Sequence, residues 1–187
     1  MIKIGITGSL ASGKSTVAKI ISSGKYPLYN ADKAVKKIYQ TNAFKAKVLK
    51  KFKLKNTKNI KNKVKWIISS DKKFLKVLEK IIHPLVREQI KKFTKKNSGK
   101  KFRIFEIPLL VESKQMKNYD KIIFVNSRKD LRLKRYLKRG NNKRFFDLLN
   151  KRQLSSAKKI KFCDHVINNN SSIKLLKKNI KNIMLKL

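Results

Sequence analysis

The chain has 187 residues, a length that fits one globular domain with small inserted subdomains, and its 41% hydrophobic content is enough to bury a core. The formal charge of +41 invites a polyanion, yet 43 of the 51 cations are lysines spread through nearly every segment, which reads as a solvated surface rather than a nucleic-acid patch. No apolar run approaches the ~20 residues of a membrane span, the N-terminus lacks the layout of an export signal, and the single cysteine, Cys163, excludes an internal disulfide and a cysteine-cluster metal site, so a reducing cytoplasm is expected.

Taken in chain order, Ile2, Ile4 and Ile6 predict a strand that ends at Thr7-Gly8. Residues 14–23 read as a helix whose apolar side is Val17, Ala18, Ile20 and Ile21, with Gly24 as its stop. A short strand at 26–29 leads through Asn30-Ala31 to Asp32 and a helix to about Gln40. From 42 to 97 the pattern becomes lysine-rich helices without a clear strand, a helical insertion. Strands at 101–106 and 121–126 follow, each expected to lead into a helical stretch. The last strand is read at 162–168, and 171–187 is an amphipathic helix capped by Ser171 or Ser172. Five strands alternating with helices imply an α/β fold, a parallel sheet with helices on both faces.

Between the first strand and the first helix, Gly8-Ser9-Leu10-Ala11-Ser12-Gly13-Lys14-Ser15 matches G-x-x-x-x-G-K-[ST] in full, and Thr16 follows. Glycines permit the tight turn that aims successive main-chain N–H groups at an anion, and the helix N-terminus adds its partial positive charge. Lys14 is placed to reach the β- and γ-phosphates, and the Ser15 hydroxyl to ligate Mg²⁺. The motif assigns a purine triphosphate, ATP or GTP. Triphosphatases, small-molecule kinases and nucleic-acid motors share it; so short a chain favours a kinase.

The acceptor side is read from rarer residues. Asp32 follows the second strand, whose carboxyl end lies above the same sheet edge as the phosphate loop. Its carboxylate could take an acceptor proton or simply cap the helix over 33–40. In His83-Pro84-Leu85-Val86-Arg87, the proline predicts that one helix ends near Ile82 and another begins at Pro84 with His83 as its cap. Arg87 would then lie in a first turn, able to bind a phosphate, unless the cluster is a plain helix–helix corner. Glu106 ends a strand and is either a Mg²⁺ ligand through water or an exposed acid among lysines.

Arginines 128, 132, 135 and 139 step by four, three and four along a helix, which predicts one shared face, with Leu133, Tyr136 and Leu137 as an apolar stripe beside it. With Arg144 and Arg152, six of the eight arginines fall between 128 and 152. Such a concentration favours either a phosphate-gripping segment that closes over the nucleotide or a solvated face. Cys163 and Trp66 are expected to pack as core residues.

The ordered set GSLASGKST, YNAD at 29–32, HPLVR at 83–87, PLLVES at 108–113, the arginine segment with Gln153, and CDHVINN at 163–169 resembles the dephospho-coenzyme A kinase family over almost the whole chain. That resemblance implies a P-loop NTPase-like core at about 1–41, 98–127 and 157–187, a helical acceptor-binding insertion at about 42–97 and a lid at about 128–156. It implies ATP-dependent phosphorylation of the 3′-hydroxyl of dephospho-coenzyme A, the last step of coenzyme A biosynthesis, by a monomer or weak oligomer. On it, Asp32 becomes the base and Lys14 its catalytic partner. Gly8, Ala11, Ser12, Gly13, Lys14, Ser15, Thr16, Arg139 and Asn168 hold ATP, with Asn168 and Asn169 near its adenine, His83 and Arg87 hold the acceptor, and Ser15 and Glu106 hold Mg²⁺. Asn30 departs from the resemblance, standing where an acid is often seen, and Glu106 stands where aspartate is frequent.

Overall fold

The computed structural model describes residues 1–54, 60, 64 and 72–187, with the backbone alone described over 72–76. Trp66, expected in a core, lies outside the described residues. The elements are β1 (Ile2–Gly8), α1 (Lys14–Ser22), β2 (Leu28–Asn30), α2 (Ala31–Ile38), α3 (Asn42–Phe52), α4 (Lys72–Lys96), β3 (Phe102–Glu106), β4 (Lys121–Asn126), α5 (Lys129–Leu137), α6 (Lys143–Lys151), α7 (Ser156–Ile160), β5 (His165–Asn168) and α8 (Ile173–Met184). Chain packing divides them into two units, Met1–Asn30 with Asn97–Leu187, and Ala31–Lys96.

The first unit is a five-stranded sheet in the order β2-β3-β1-β4-β5, with every neighbouring pair parallel. Strands buried on both faces need runs of apolar residues rather than alternation. Accordingly Ile122, Ile123, Phe124 and Val125 of β4 are all buried. On one face α1 and α8 pack Val17, Ala18, Ile21, Leu176 and Ile180 against the strands' isoleucines. A side chain so buried contributes about 1.5–3 kcal/mol. Ser172 caps α8 by accepting from Leu175 N–H.

After β3 the expected helical stretch is replaced by turns and a 3₁₀ segment, Met116–Asn118. Lys114 adopts a left-handed φ of +54°, where a right-handed helix cannot continue. The turn is held by packing instead: Leu110 is fully buried, and the Phe105 and Tyr119 rings meet edge-on at 5.4 Å.

The second unit is helical and begins at Ala31 rather than near 42, because α2 packs on α4. Ile38, Phe44, Val48 and Leu78, with Ile60 and Val64, form its core. Contrary to the expected break at Ile82, α4 runs unbroken through Pro84. An interior proline costs about 3 kcal/mol through a lost hydrogen bond and a ring clash. Here Ile81, Ile82, Leu85 and Val86 pack into the core on both sides of an exposed Pro84 and hold the helix together. Pro84→Ala restores the bond to the Lys80 carbonyl, and is expected to raise the Tm by several degrees in a thermal melt.

Candidate functional site: an anion cradle above the sheet

β1 delivers the chain to Gly8, whose missing Cβ would lie 2.4 Å from the Val125 carbonyl oxygen. The loop then passes Ala11 at φ +57° and reaches Gly13 at φ +96°, the N-cap of α1. Gly13 supplies no side-chain cap, so the first-turn N–H groups of α1 lack intrahelical acceptors and remain a ready anion site. Left-handed residues beside a helical turn curve the main chain into a concave nest of donors. Lys14 is buried and folds back over the loop, its Nζ donating to the carbonyls of Gly8 at 3.2 Å and Ser9 at 2.9 Å. Ser12 is fully buried, and its Oγ has no hydrogen-bond partner among the described residues. Ser15 and Thr16 are exposed on the first turn.

Behind the loop stands Asn169, only 8% exposed, whose Nδ2 donates to the Ser12 carbonyl at 2.8 Å. A Cβ on Gly13 would lie 2.1 Å from that same Nδ2. Gly13→Ala therefore strains the backbone and expels the amide that braces the loop. ADP affinity, read by calorimetric titration, is expected to fall about tenfold or more. Asn168, the expected nucleotide contact, is exposed at the end of β5 and accepts from Asn126 Nδ2 at 2.9 Å. Its neighbour is the residue that reaches the loop; the run of three asparagines carries no signal to separate them.

Register places Glu106 opposite Ile6 of β1 and Asn30 of β2, at the carboxyl edge of the sheet. It is 3% exposed, so the alternative of an acid balancing surface lysines is excluded. Ser15 Oγ donates to its Oε1 at 2.5 Å and Asn30 Nδ2 to its Oε2. An acid at position 30 would set a second carboxylate beside the first, at an electrostatic cost; asparagine supplies a donor instead. Ser15 and Glu106 together offer oxygen donors alone, the set a hard divalent cation prefers.

Asp32, His83 and Arg87 belong to the second unit. Asp32 lies exposed inside the first turn of α2, not at a cap position before it. His83 and Arg87 are exposed one turn apart on α4. Because α4 is continuous, Arg87 is mid-helix, and the free N–H groups expected beside it are absent.

The four arginines do not share one face. Arg128 caps α5 and pairs with Asp130 at 3.1 Å, while Arg139 lies beyond the helix end, exposed. Arg132 is 7% exposed, and burial pulls its guanidinium below the usual range. Its Nε donates to the Ser127 carbonyl at 3.1 Å and its Nη1 to Asn150 Oδ1 at 2.8 Å. Arg135 donates to Ser127 Oγ at 3.0 Å and to the Asn169 carbonyl at 2.9 Å. Both forks grip protein carbonyls around the loop. Of the expected apolar stripe, Tyr136 and Leu133 pack with Phe146 and Ala11, but Leu137 is 43% exposed.

A further residue is invisible to sequence reasoning. Lys159 on α7 is completely buried, its Nζ 2.5 Å from Glu112 Oε1, which fastens α7 to the turn after β3. One lysine among 43 carries no local mark of such a role. Cys163 is half-buried, and burial with the neighbouring Asp164 carboxylate pushes its thiol up to about 11, so it stays protonated and inert. Among the described residues no helix is long and apolar enough to cross a membrane, and no cluster of three His, Cys, Asp or Glu side chains is found.

Comparison with known proteins agrees with this geometry. Residues 2–174 match the family described as dephospho-CoA kinase. Dephospho-CoA kinase of Bartonella henselae is 37% identical over 88% of this chain and 87% of its own length. That of Fusobacterium nucleatum is 37% identical over 95% and 94%. The solved dephospho-CoA kinase of Campylobacter jejuni superposes with a TM-score of 0.72 at 28% identity, covering 98% of this chain and 96% of that one. A shikimate kinase from Acinetobacter baumannii, at 13% identity and a TM-score of 0.60, shares the fold. The chain is a member of the dephospho-CoA kinase family, built on the P-loop kinase fold.

Proposed function

We propose that this chain transfers the γ-phosphoryl group of ATP to the 3′-hydroxyl of dephospho-coenzyme A, releasing coenzyme A and ADP. The observation that carries the reading is the nest over 8–16 with Lys14 folded across it and Glu106 bonded to Ser15, in a chain of this family. The hydroxyl oxygen attacks the γ-phosphorus in line, the bond to the β-phosphate oxygen breaks, and the acceptor proton passes to the Asp32 carboxylate. Main-chain N–H groups of the loop and of the first turn of α1, with the Lys14 ammonium, neutralise the migrating group. Mg²⁺, when bound, would supply neutralisation of phosphate charge, and the Ser15 hydroxyl and Glu106 carboxylate would hold it. The buried, unpartnered Ser12 Oγ and the all-oxygen pair fit a metal–triphosphate.

Arg139 is exposed, and the protein carbonyls that occupy the buried fork of Arg132 and the half-buried fork of Arg135 do not engage it, which leaves it the better candidate to reach the nucleotide. Asn168 is proposed beside the base of ATP, and the exposed pair His83 and Arg87 on α4 for the acceptor's anionic end. The cationic field of the whole chain speeds the approach of both polyanionic substrates. Purified protein with Mg·ATP is offered dephospho-coenzyme A, nucleoside monophosphates and shikimate in parallel, with products read by mass spectrometry. Phosphorylation of dephospho-coenzyme A far above the others is the expected result. Transfer to another acceptor alone, or hydrolysis stimulated only by RNA or DNA, would overturn it.

A further inference from the structure

Leu10 is an apolar residue in the middle of the phosphate loop, and both of its main-chain polar groups are held by side chains from the segment that follows β4. Its N–H donates to Gln153 Oε1 at 3.0 Å, and its carbonyl accepts from Arg132 Nη1 at 3.3 Å. One residue earlier, the Ser9 and Ser156 hydroxyls meet at 3.0 Å. One residue later, Ala11 adopts φ +57° and packs against Tyr136 and Phe146. A non-glycine residue in that region is strained and persists only where its surroundings hold it.

The Arg132 grip is itself braced. The same Nη1 reaches Asn150 Oδ1, Nε reaches the Ser127 carbonyl, and the guanidinium lies 5.7 Å over the Phe146 ring. Such a planar, buried fork has a single orientation. Gln153 is tied in from its own side, because the next residue's N–H, that of Leu154, donates to Glu112, the partner of buried Lys159.

We infer that Gln153 and Arg132 are positioning residues that hold Leu10 from both sides and preorganise the phosphate loop for its anion, while binding no phosphate themselves. This rests on the phosphate loop being the nucleotide site but not on which alcohol receives the phosphoryl group. Its N–H, spent on Gln153, is then not one of the anion donors; the Ser12 N–H is spent likewise on the Ser9 carbonyl at 3.2 Å, which leaves Ala11 and the residues from Gly13 onward. Preorganisation of this kind is expressed as affinity, because an anion entering a loop already shaped for it need not order the chain. It also links the loop to α5 and α6, so that whatever moves that segment changes the grip on nucleotide.

Gln153→Leu removes the acceptor, and Gln153→Glu keeps one at the same reach. Calorimetric titration with Mg·ADP, hydrogen exchange at the Leu10 amide, and a thermal melt are recorded for both variants and the parent. The expected result is about a tenfold loss of ADP affinity in Gln153→Leu, rapid exchange at Leu10, a cooperative melt, and recovery of affinity in Gln153→Glu. Turnover is expected to show the loss mainly as a raised KM for ATP rather than a lowered kcat. Unchanged ADP affinity in Gln153→Leu would overturn the inference. So would loss of affinity in both variants alike, or loss accompanied by a collapsed melt, each of which marks a purely structural side chain. Because ADP is the probe, a protein that grips ADP in this way yet fails to phosphorylate dephospho-coenzyme A would sink the proposed function and leave the positioning role standing.

Discussion

Lys14→Ala is expected to lower kcat/KM for ATP by about 10²–10³-fold, the size of effect seen when one donor aimed at developing charge is deleted. Two contributions are removed together. The ammonium group holds the Gly8 and Ser9 carbonyls in the ligand-free loop, at 3.2 and 2.9 Å. On the proposed mechanism the same charge, carried by a side chain only 9% exposed, opposes in the transition state the negative charge spread over the phosphoryl oxygens. Low exposure means weak solvent screening, so the second contribution exceeds what a surface lysine would provide. The two separate by measurement. Loss of loop order alone raises the Kd for ADP and leaves kcat at saturation close to normal, whereas loss of transition-state charge lowers kcat itself. The lowered kcat is the expected outcome, with a Tm within a few degrees of the parent, since removing one cation from a chain of charge +41 relieves repulsion. Near-normal kcat at saturating ATP would dismiss Lys14 from the reaction.

How much of this is legible in the sequence differs by element, for physical reasons. The phosphate loop is local: its glycines, its lysine and the strand and helix around it are adjacent in the chain, so the motif alone locates Gly8, Gly13, Lys14 and Ser15. The sheet is also legible, because fully buried parallel strands announce themselves as apolar runs. The run at 121–126 predicts a strand, and β4 is found there. What fails are inferences from a single residue where packing competes. Pro84 predicts a break, but the flanking apolar residues outweigh the missing hydrogen bond. The spacing of the four arginines fits one helical face, yet the helix ends at Leu137, and burial sends Arg132 inward while Arg139 stays outside. Roles defined by contacts distant in sequence are invisible. Among the described residues Lys14 and Lys159 are the buried lysines, and only the first sits in a motif. Gln153 is visible only as a landmark, since its partner Leu10 lies at the other end of the chain.

Asp32→Asn is expected to lower kcat by about 10²–10⁴-fold, the range that general-base assistance provides, with little change in the Kd for ATP. Asp32 follows β2, and the last residue of that strand, Asn30, donates to Glu106 beside Ser15. Asp32 itself is the second residue of the helical unit that begins at Ala31. Its side chain is exposed and sits in the first turn of α2, open to water. Any aspartate carboxylate is a far weaker base than an alkoxide. On the proposed mechanism it would orient the hydroxyl first and receive the proton only as bond formation to phosphorus makes that proton acidic. Asparagine keeps the shape and can still accept from the hydroxyl through its carbonyl, but it cannot take the proton. The substitution therefore divides orientation from proton transfer. If orientation is the whole contribution, Asp32→Asn retains most of kcat while Asp32→Ala loses it; if proton transfer matters, both lose it alike. The second pattern is expected. A third pattern, with both variants near the parent in kcat and in KM for dephospho-coenzyme A, would assign Asp32 to the stability of α2, where its charge opposes the helix dipole's positive end, and would leave the acceptor proton to water.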